Sequence, residues 1–303
     1  MSLLGGALTL AGLGAASLPA WREYRRKPVS ALRETAPGQF ARLSQGHTHF
    51  QWSGTMDAPV MVCVHGLTTP SFVWEGLARH ISGEARVLTY DLYGRGFSDA
   101  PRGQQSAAFF TRQLSDLMDH QQLNTPVTLI GYSMGGAIAT SFAAAHPDRV
   151  QRLILIAPAG MGHQLGRLAR FTTDVPLLGD WAFHMGYPAQ LRQGIEAERN
   201  LPSSVSGIAD KQLAQLDRRG FLRSVLSSLR GQLRDPLEPE HRQIAATGLP
   251  VTAIWGQQDS VIPLRAMGTL TQWNRNARHK VIEGAGHGLT YTHTREILEA
   301  LHP

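Results

Sequence analysis

Residues 126–145 read Pro-Val-Thr-Leu-Ile-Gly-Tyr-Ser-Met-Gly-Gly-Ala-Ile-Ala-Thr-Ser-Phe-Ala-Ala-Ala, and this join limits the possible folds more than any other stretch. Val127 to Ile130 form a short apolar run with β-branched residues, the pattern of a buried parallel strand. The Ala-rich, Pro-free run to Ala145 reads as a helix. Between them lies Gly131-Tyr132-Ser133-Met134-Gly135. A serine on so abrupt a strand-to-helix turn occupies strained backbone, and side chains two residues away on either side would clash. Glycines at 131 and 135 remove those clashes and leave the hydroxyl exposed. The helix N-terminus aims amide donors at the same spot, so an anion forming there meets a prepared site. A plain Gly-Ser turn capping a helix would share part of this pattern, so the rest of the chain has to decide.

That remainder alternates. Residues from about Gln39 to Trp52 form two opening strands around Gln45-Gly46. Pro59 to Val64 is an apolar strand ending in His65-Gly66-Leu67-Thr68, and Thr69 to Ser82 reads as a helix. Strand Ala85 to Tyr90 runs into the turn Asp91-Leu-Tyr-Gly-Arg95-Gly-Phe-Ser98-Asp99, followed by a helix from Ser106 to Gln122. After the Ser133 helix come strands at Val150–Ile156, Leu249–Trp255 and His279–Glu283, with helices at about Pro263–Trp273 and Thr292–Leu301. Strands alternating with helices predict a parallel sheet covered on both faces. The alternation stops at Gly160. Roughly eighty residues, 161–246, then show amphipathic fragments with Pro176, Pro188, Pro202, Pro236 and Pro239 between them, too long for a bare loop. They predict a helical cap inserted into a core of residues 39–160 and 247–303. Phe72, Met161 and Trp181 are the apolar candidates for the substrate pocket.

The first 28 residues stand apart. Met1 to Ala20 carries no charged side chain, and Arg22, Arg25, Arg26 and Lys27 follow it. The span is diluted by glycines, but with its positive flank on the C-terminal side it predicts a membrane anchor with a cytoplasmic catalytic domain. A docking helix on a soluble cytoplasmic protein and a cleaved export signal are the alternatives. Net charge is +6, with Arg scattered among Asp and Glu and no aromatic-interleaved basic stripe, which argues against nucleic acid as a partner. Cys63 is the sole cysteine, so no intrachain disulfide can form. His47 and His49 share a strand face without a third ligand at metal spacing, and neither Gly284-Ala-Gly-His-Gly288 nor Gly94-Arg-Gly96 fits a dinucleotide loop. No metal or cofactor is implied. Oligomeric state leaves no mark on the sequence.

Three strand ends present Ser133, Asp259 and His287 in that order, and in an open α/β sheet such ends converge on one rim. A hydroxyl is a weak nucleophile and needs a base within reach; histidine suits neutral pH, and a carboxylate holds its tautomer. With His65-Gly66 after an early strand, this order resembles the α/β-hydrolase fold, over about Gln39 to Leu301. The resemblance implies a mostly parallel sheet of about eight strands, a Ser133–His287–Asp259 catalytic set, and an oxyanion hole made by the N–H groups of Leu67 and Met134. His65 is read as bracing the oxyanion loop, and Asp91, Arg95 and Ser98 as structural. A serine at the elbow, where some members carry aspartate, indicates acyl chemistry. Gly131–Gly136, Leu155–Gly160 and Ile254–Asp259 are most similar to membrane-associated monoacylglycerol lipases and related bacterial carboxylesterases. The implied activity is hydrolysis of a small-molecule carboxylic ester with a fairly apolar acyl or alcohol part. Carbon–carbon bond hydrolases of vinylogous diketones share the same three residues and form one alternative. A non-catalytic ligand-binding relative is the other.

Overall fold

The computed structural model describes Gly14, residues 16–162 and residues 167–301. In chain order the elements are helices α1 (16–25) and α2 (Val29–Arg33), strands β1 (Gln39–Leu43), β2 (Gly46–Ser53) and β3 (Val60–Val64), α3 (Glu75–Ile81), β4 (Arg86–Tyr90) and α4 (Ala107–His120). Next come β5 (Val127–Tyr132), α5 (Met134–Ala145) and β6 (Val150–Ile156). Helices α6 (Arg167–Asp174), α7 (Leu178–Glu198), α8 (Ile208–Ala214), α9 (Phe221–Arg230) and α10 (Glu238–Thr247) follow, with no intervening strand among the described residues. The chain closes with β7 (Val251–Gly256), α11 (Arg265–Trp273), β8 (Arg278–Ile282), α12 (Leu289–Thr292) and α13 (Thr294–Leu301).

The strands form one eight-stranded sheet in the order β1-β2-β4-β3-β5-β6-β7-β8. β2 pairs antiparallel with both β1 and β4, and every later pairing is parallel. The order reverses at β3, whose neighbours are β4 on one side and β5 on the other, so the crevice for a ligand opens where β3 and β5 end. Side chains alternate between two core layers, as strand geometry demands. Val127 and Leu129 enter the layer with Phe110, Ile138 and Leu270, while Ile130 and Tyr132 enter the layer with Leu77, Leu289 and Ile297.

Among the described residues, five α-helices and no strand lie between β6 and β7. α10 packs on α5 and α11, so the helices that pack on one another as a cap are α6 to α9. Pro188 lies inside α7 instead of between two helices. Its missing N–H costs helix stability, and burial of Phe183 and Ile195 on the same helix holds the turn in place. Pro70 delays the helix expected from Thr69: a 3-10 turn at Ser71–Trp74 precedes α3. The last predicted helix is divided at His293 into α12 and α13.

Most of the charge-free leader over residues 1–20 lies outside the described residues. Among those described, no helix is long and apolar enough to cross a membrane. α1 runs beside the cap. Arg22 contacts Met185 Sδ at 3.6 Å, Arg26 Nε donates to the Leu216 carbonyl at 2.8 Å, and the Lys27 N–H donates to the Asp217 carbonyl at 2.9 Å.

Candidate active site

The elbow between β5 and α5 holds Ser133 at φ 54°, ψ −119°, a backbone conformation that costs a non-glycine residue on the order of 1–3 kcal/mol. The surroundings hold it there. The Ser133 N–H donates to the Ile156 carbonyl at 2.9 Å, and its own carbonyl accepts from Gly136 and Ala159. A Cβ at residue 135 would lie 2.0 Å from the Val64 carbonyl oxygen, and one at residue 131 would lie 2.4 Å from the Gly135 carbonyl oxygen. Glycine at these two places is therefore a packing requirement of the turn.

From this perch Ser133 Oγ lies 3.0 Å from His287 Nε2, and His287 Nδ1 lies 2.8 Å from Asp259 Oδ2. The Asp259 side chain is fully buried, and its Oδ1 accepts from the Val261 and Ile262 N–H groups, both at 2.8 Å. A carboxylate only accepts, so the imidazole proton sits on Nδ1 and the Nε2 lone pair faces the hydroxyl. The Tyr132 ring lies 5.4 Å from the His287 ring, and Tyr132 Oη donates to the His287 carbonyl at 2.9 Å, fixing the loop from the other side. The structure thus brings together Ser133, His287 and Asp259, three residues separated along the chain.

The two N–H groups expected to face the oxyanion are free of internal bonds. Met134 opens α5, where the first amides have no intrahelical acceptor, and Leu67 follows β3. Among the described residues neither amide donates to a protein acceptor. Two buried side chains hold the Leu67 loop. His65 Nε2 accepts from the Leu92 N–H at 2.8 Å, and Nδ1 donates to the Gly66 carbonyl at 2.8 Å, so both nitrogens are committed and the ring is no base. Arg95, with no exposed surface, donates to the carbonyls of Leu67 at 3.0 Å and Tyr93 at 2.9 Å, to Gln105 Oε1 at 2.6 Å, and to Ser228 Oγ of α9 at 2.8 Å. Burial, with the nearby Arg218 charge, pushes this guanidinium down to about 9. It ties the Leu67 loop to α9, a role that no local sequence signal announces.

Burial also pushes His65 down to about 4, and His241 equally. Unfolded, both rings take up protons near 6.5, so between those values the unfolded chain binds more protons than the folded one. Stability is therefore expected to fall as pH drops from about 6.5 toward 4. His49 works in the opposite direction and at higher pH: burial pulls it down, but its 2.8 Å bond to Asp91 and that residue's charge raise it above 6.5, so its stabilisation builds as pH falls toward about 6.5 and is complete below that. Urea-unfolding midpoints measured at intervals from pH 6.5 to 4.5 should decline, with a shallower slope for His241→Gln. A level midpoint would contradict this.

A cavity of about 460 Å³ opens over Ser133 and His287. Its cap wall is one face of α7: Tyr187, Gln190, Leu191, Gly194, Ile195 and Glu198 recur at helical spacing. Leu67, Val261 and Ile262 line it from the sheet side, and Leu229 and Leu233 from the α9 region. Phe72, Met161 and Trp181, the sequence candidates, are not among the lining residues. Phe72 packs on the core layer of α3, under the Lys211 ammonium at 5.9 Å. Met161 is buried in the opposite layer with Ala159 and Leu237. Trp181 precedes Tyr187 by six residues, about 240° around the helix, and is 40% exposed. His47 and His49 face separate carboxylates, Asp99 and Asp91.

The α/β-hydrolase fold profile matches residues 59–294, which holds the β3 loop, the elbow, Asp259 and His287. The chain belongs to the α/β-hydrolase fold family. Among its relatives, the monoacylglycerol lipase abhd6-B of Xenopus laevis is 24% identical over 253 residues, covering 78% of this chain and 72% of its own. The 2-hydroxy-6-oxononadienedioate/2-hydroxy-6-oxononatrienedioate hydrolase of Paraburkholderia xenovorans is 26% identical over 298 residues, covering 88% and 95%. A thermophilic esterase from Thermogutta terrifontis shares the fold, with a TM-score of 0.71 at 22% identity over 87% of this chain and 97% of that one. The first of these relatives is named as a monoacylglycerol lipase and the second as a dienedioate/trienedioate hydrolase.

Proposed function

We propose that this α/β hydrolase cleaves carboxylic esters with a fairly apolar acyl or alcohol part through an acyl-enzyme on Ser133. The observation that carries this reading is the hydrogen-bonded line from Ser133 Oγ through His287 to Asp259, opening onto a largely apolar cavity. Ser133 Oγ attacks the ester carbonyl while His287 Nε2 takes its proton, and the buried Asp259 carboxylate stabilises the imidazolium. The Leu67 and Met134 amides receive the negative charge that develops on the carbonyl oxygen, each contributing on the order of 3 kcal/mol. Collapse of the intermediate breaks the C–O bond, and His287 returns its proton to the departing alcohol. A water molecule, deprotonated by the same ring, attacks the acyl-enzyme and frees the acid and the serine. The charge-free leader and its basic flank support membrane contact through the N-terminus, beside the cap on which α1 rests.

A fluorophosphonate probe tests the reading: it should label Ser133 in the wild type in proportion to lost turnover of p-nitrophenyl butyrate. Labelling elsewhere, or none, would favour a ligand-binding protein without turnover. Carbon–carbon bond hydrolysis is the second reading, supported by the Paraburkholderia xenovorans relative. Preference for a vinylogous 1,5-diketone over simple esters would establish it instead.

A further inference from the structure

One wall of the cavity differs from the rest. Glu198, at the end of α7, lines it and is solvent-exposed, which puts its carboxylate at the rim. Tyr291 Oη donates to Glu198 Oε2 at 3.2 Å. Burial and the Glu198 charge push the Tyr291 phenol up, so the proton stays on Oη. No cation among the described residues pairs with Glu198. Of the neighbouring cap cations, Arg199 pairs with Glu196 at 2.6 Å and Asp210 at 2.9 Å, and Lys211 with Glu75 at 2.6 Å. Among the described lining residues Glu198 is the one carboxylate, and there is no lysine or arginine.

This wall also has a defined relation to the chemistry. If His287 protonates the departing oxygen, the alcohol half of the ester lies on the His287 side of Ser133. Tyr291 follows His287 by four residues, in α12, and its carbonyl accepts from the Ser204 N–H at 2.8 Å, fastening that helix to the loop between α7 and α8. The apolar wall of Leu191, Ile195, Leu229, Leu233, Val261 and Ile262 is then left for the acyl chain.

We propose that Glu198 and Tyr291 form an alcohol-side subsite that selects by charge, favouring a cationic alcohol over a neutral one and turning away an anionic one. This rests on the ester-hydrolase reading and specifies its substrate. The test compares kcat/KM for three butyrate esters of matched shape: the 4-(aminomethyl)phenyl, 4-ethylphenyl and 4-(carboxymethyl)phenyl esters. Relative to the neutral ester, the cationic one should be favoured and the anionic one disfavoured by about fivefold each, the upper range for a solvent-accessible charge pair. Glu198→Gln keeps the shape and removes the charge, so both ratios should move toward one, from opposite sides. A loss of packing would move the two ratios together. The proposal is overturned if the wild type treats the three esters alike, or if Glu198→Gln leaves their ratios unchanged while the neutral ester is turned over. If no ester is cleaved and Ser133 resists the fluorophosphonate, the hydrolase reading fails and the subsite fails with it.

Discussion

Ser133→Ala is expected to lower kcat for p-nitrophenyl butyrate by about 10⁴- to 10⁶-fold, leaving whatever rate the oxyanion donors and binding supply without a nucleophile. The fold should survive. The substitution keeps Cβ and all backbone bonds of the elbow, and it removes an oxygen that faces the cavity and, among the described residues, bonds only to His287. Stability should therefore change by no more than about 0.5–1 kcal/mol. Stopped assays on the purified variant, with thermal unfolding as the control, measure both. An alanine protein that retains a tenth of the wild-type rate would show that the hydroxyl is not the attacking group.

Asp259→Asn should be nearly as damaging, by about 10⁴-fold in kcat, and the reason is visible in the bonding. Asp259 Oδ1 accepts from two backbone N–H groups, so the amide of an asparagine would keep its oxygen there. Its NH₂ would then point at His287 Nδ1. Two donors cannot face one another, so Nδ1 would have to accept and the ring proton would move to Nε2. With Nε2 protonated, His287 cannot take the serine proton. Fluorophosphonate labelling should slow in step with turnover, while the melting temperature changes little because the buried oxygen keeps its donors. A variant that labels at the wild-type rate would mean that the imidazole tautomer is not what Asp259 controls.

Much of the sheet domain was legible in the chain, because its signals are local. Strand β5 is a continuous apolar run, and the turn after it tolerates only glycine at two positions, so the elbow announces itself. Asp259 and His287 each follow a recognisable strand, and a parallel sheet delivers strand ends to a common rim whatever the helices between them do. The cap behaved otherwise. Its helices could be read, but the faces they turn toward the site could not: α7 has apolar residues on several sides, and Trp181 and Leu191 look equally eligible until the helix is docked. Pro188 misled in the same way, since a proline's local cost to a helix is outweighed by burial that the local sequence does not record.

By itself the sequence determined the order of strands and helices and the strained serine turn, which follow from steric rules acting within a few residues, and it pointed to the three residues that meet there because each ends or follows a recognisable strand. Tertiary structure alone decided which face of α7 walls the cavity, that a buried Arg95 joins the Leu67 loop to the cap, and that Glu198 meets Tyr291 beside the histidine. These depend on packing between segments as many as 133 residues apart, where complementary shape and the need to satisfy buried polar groups select one arrangement from many.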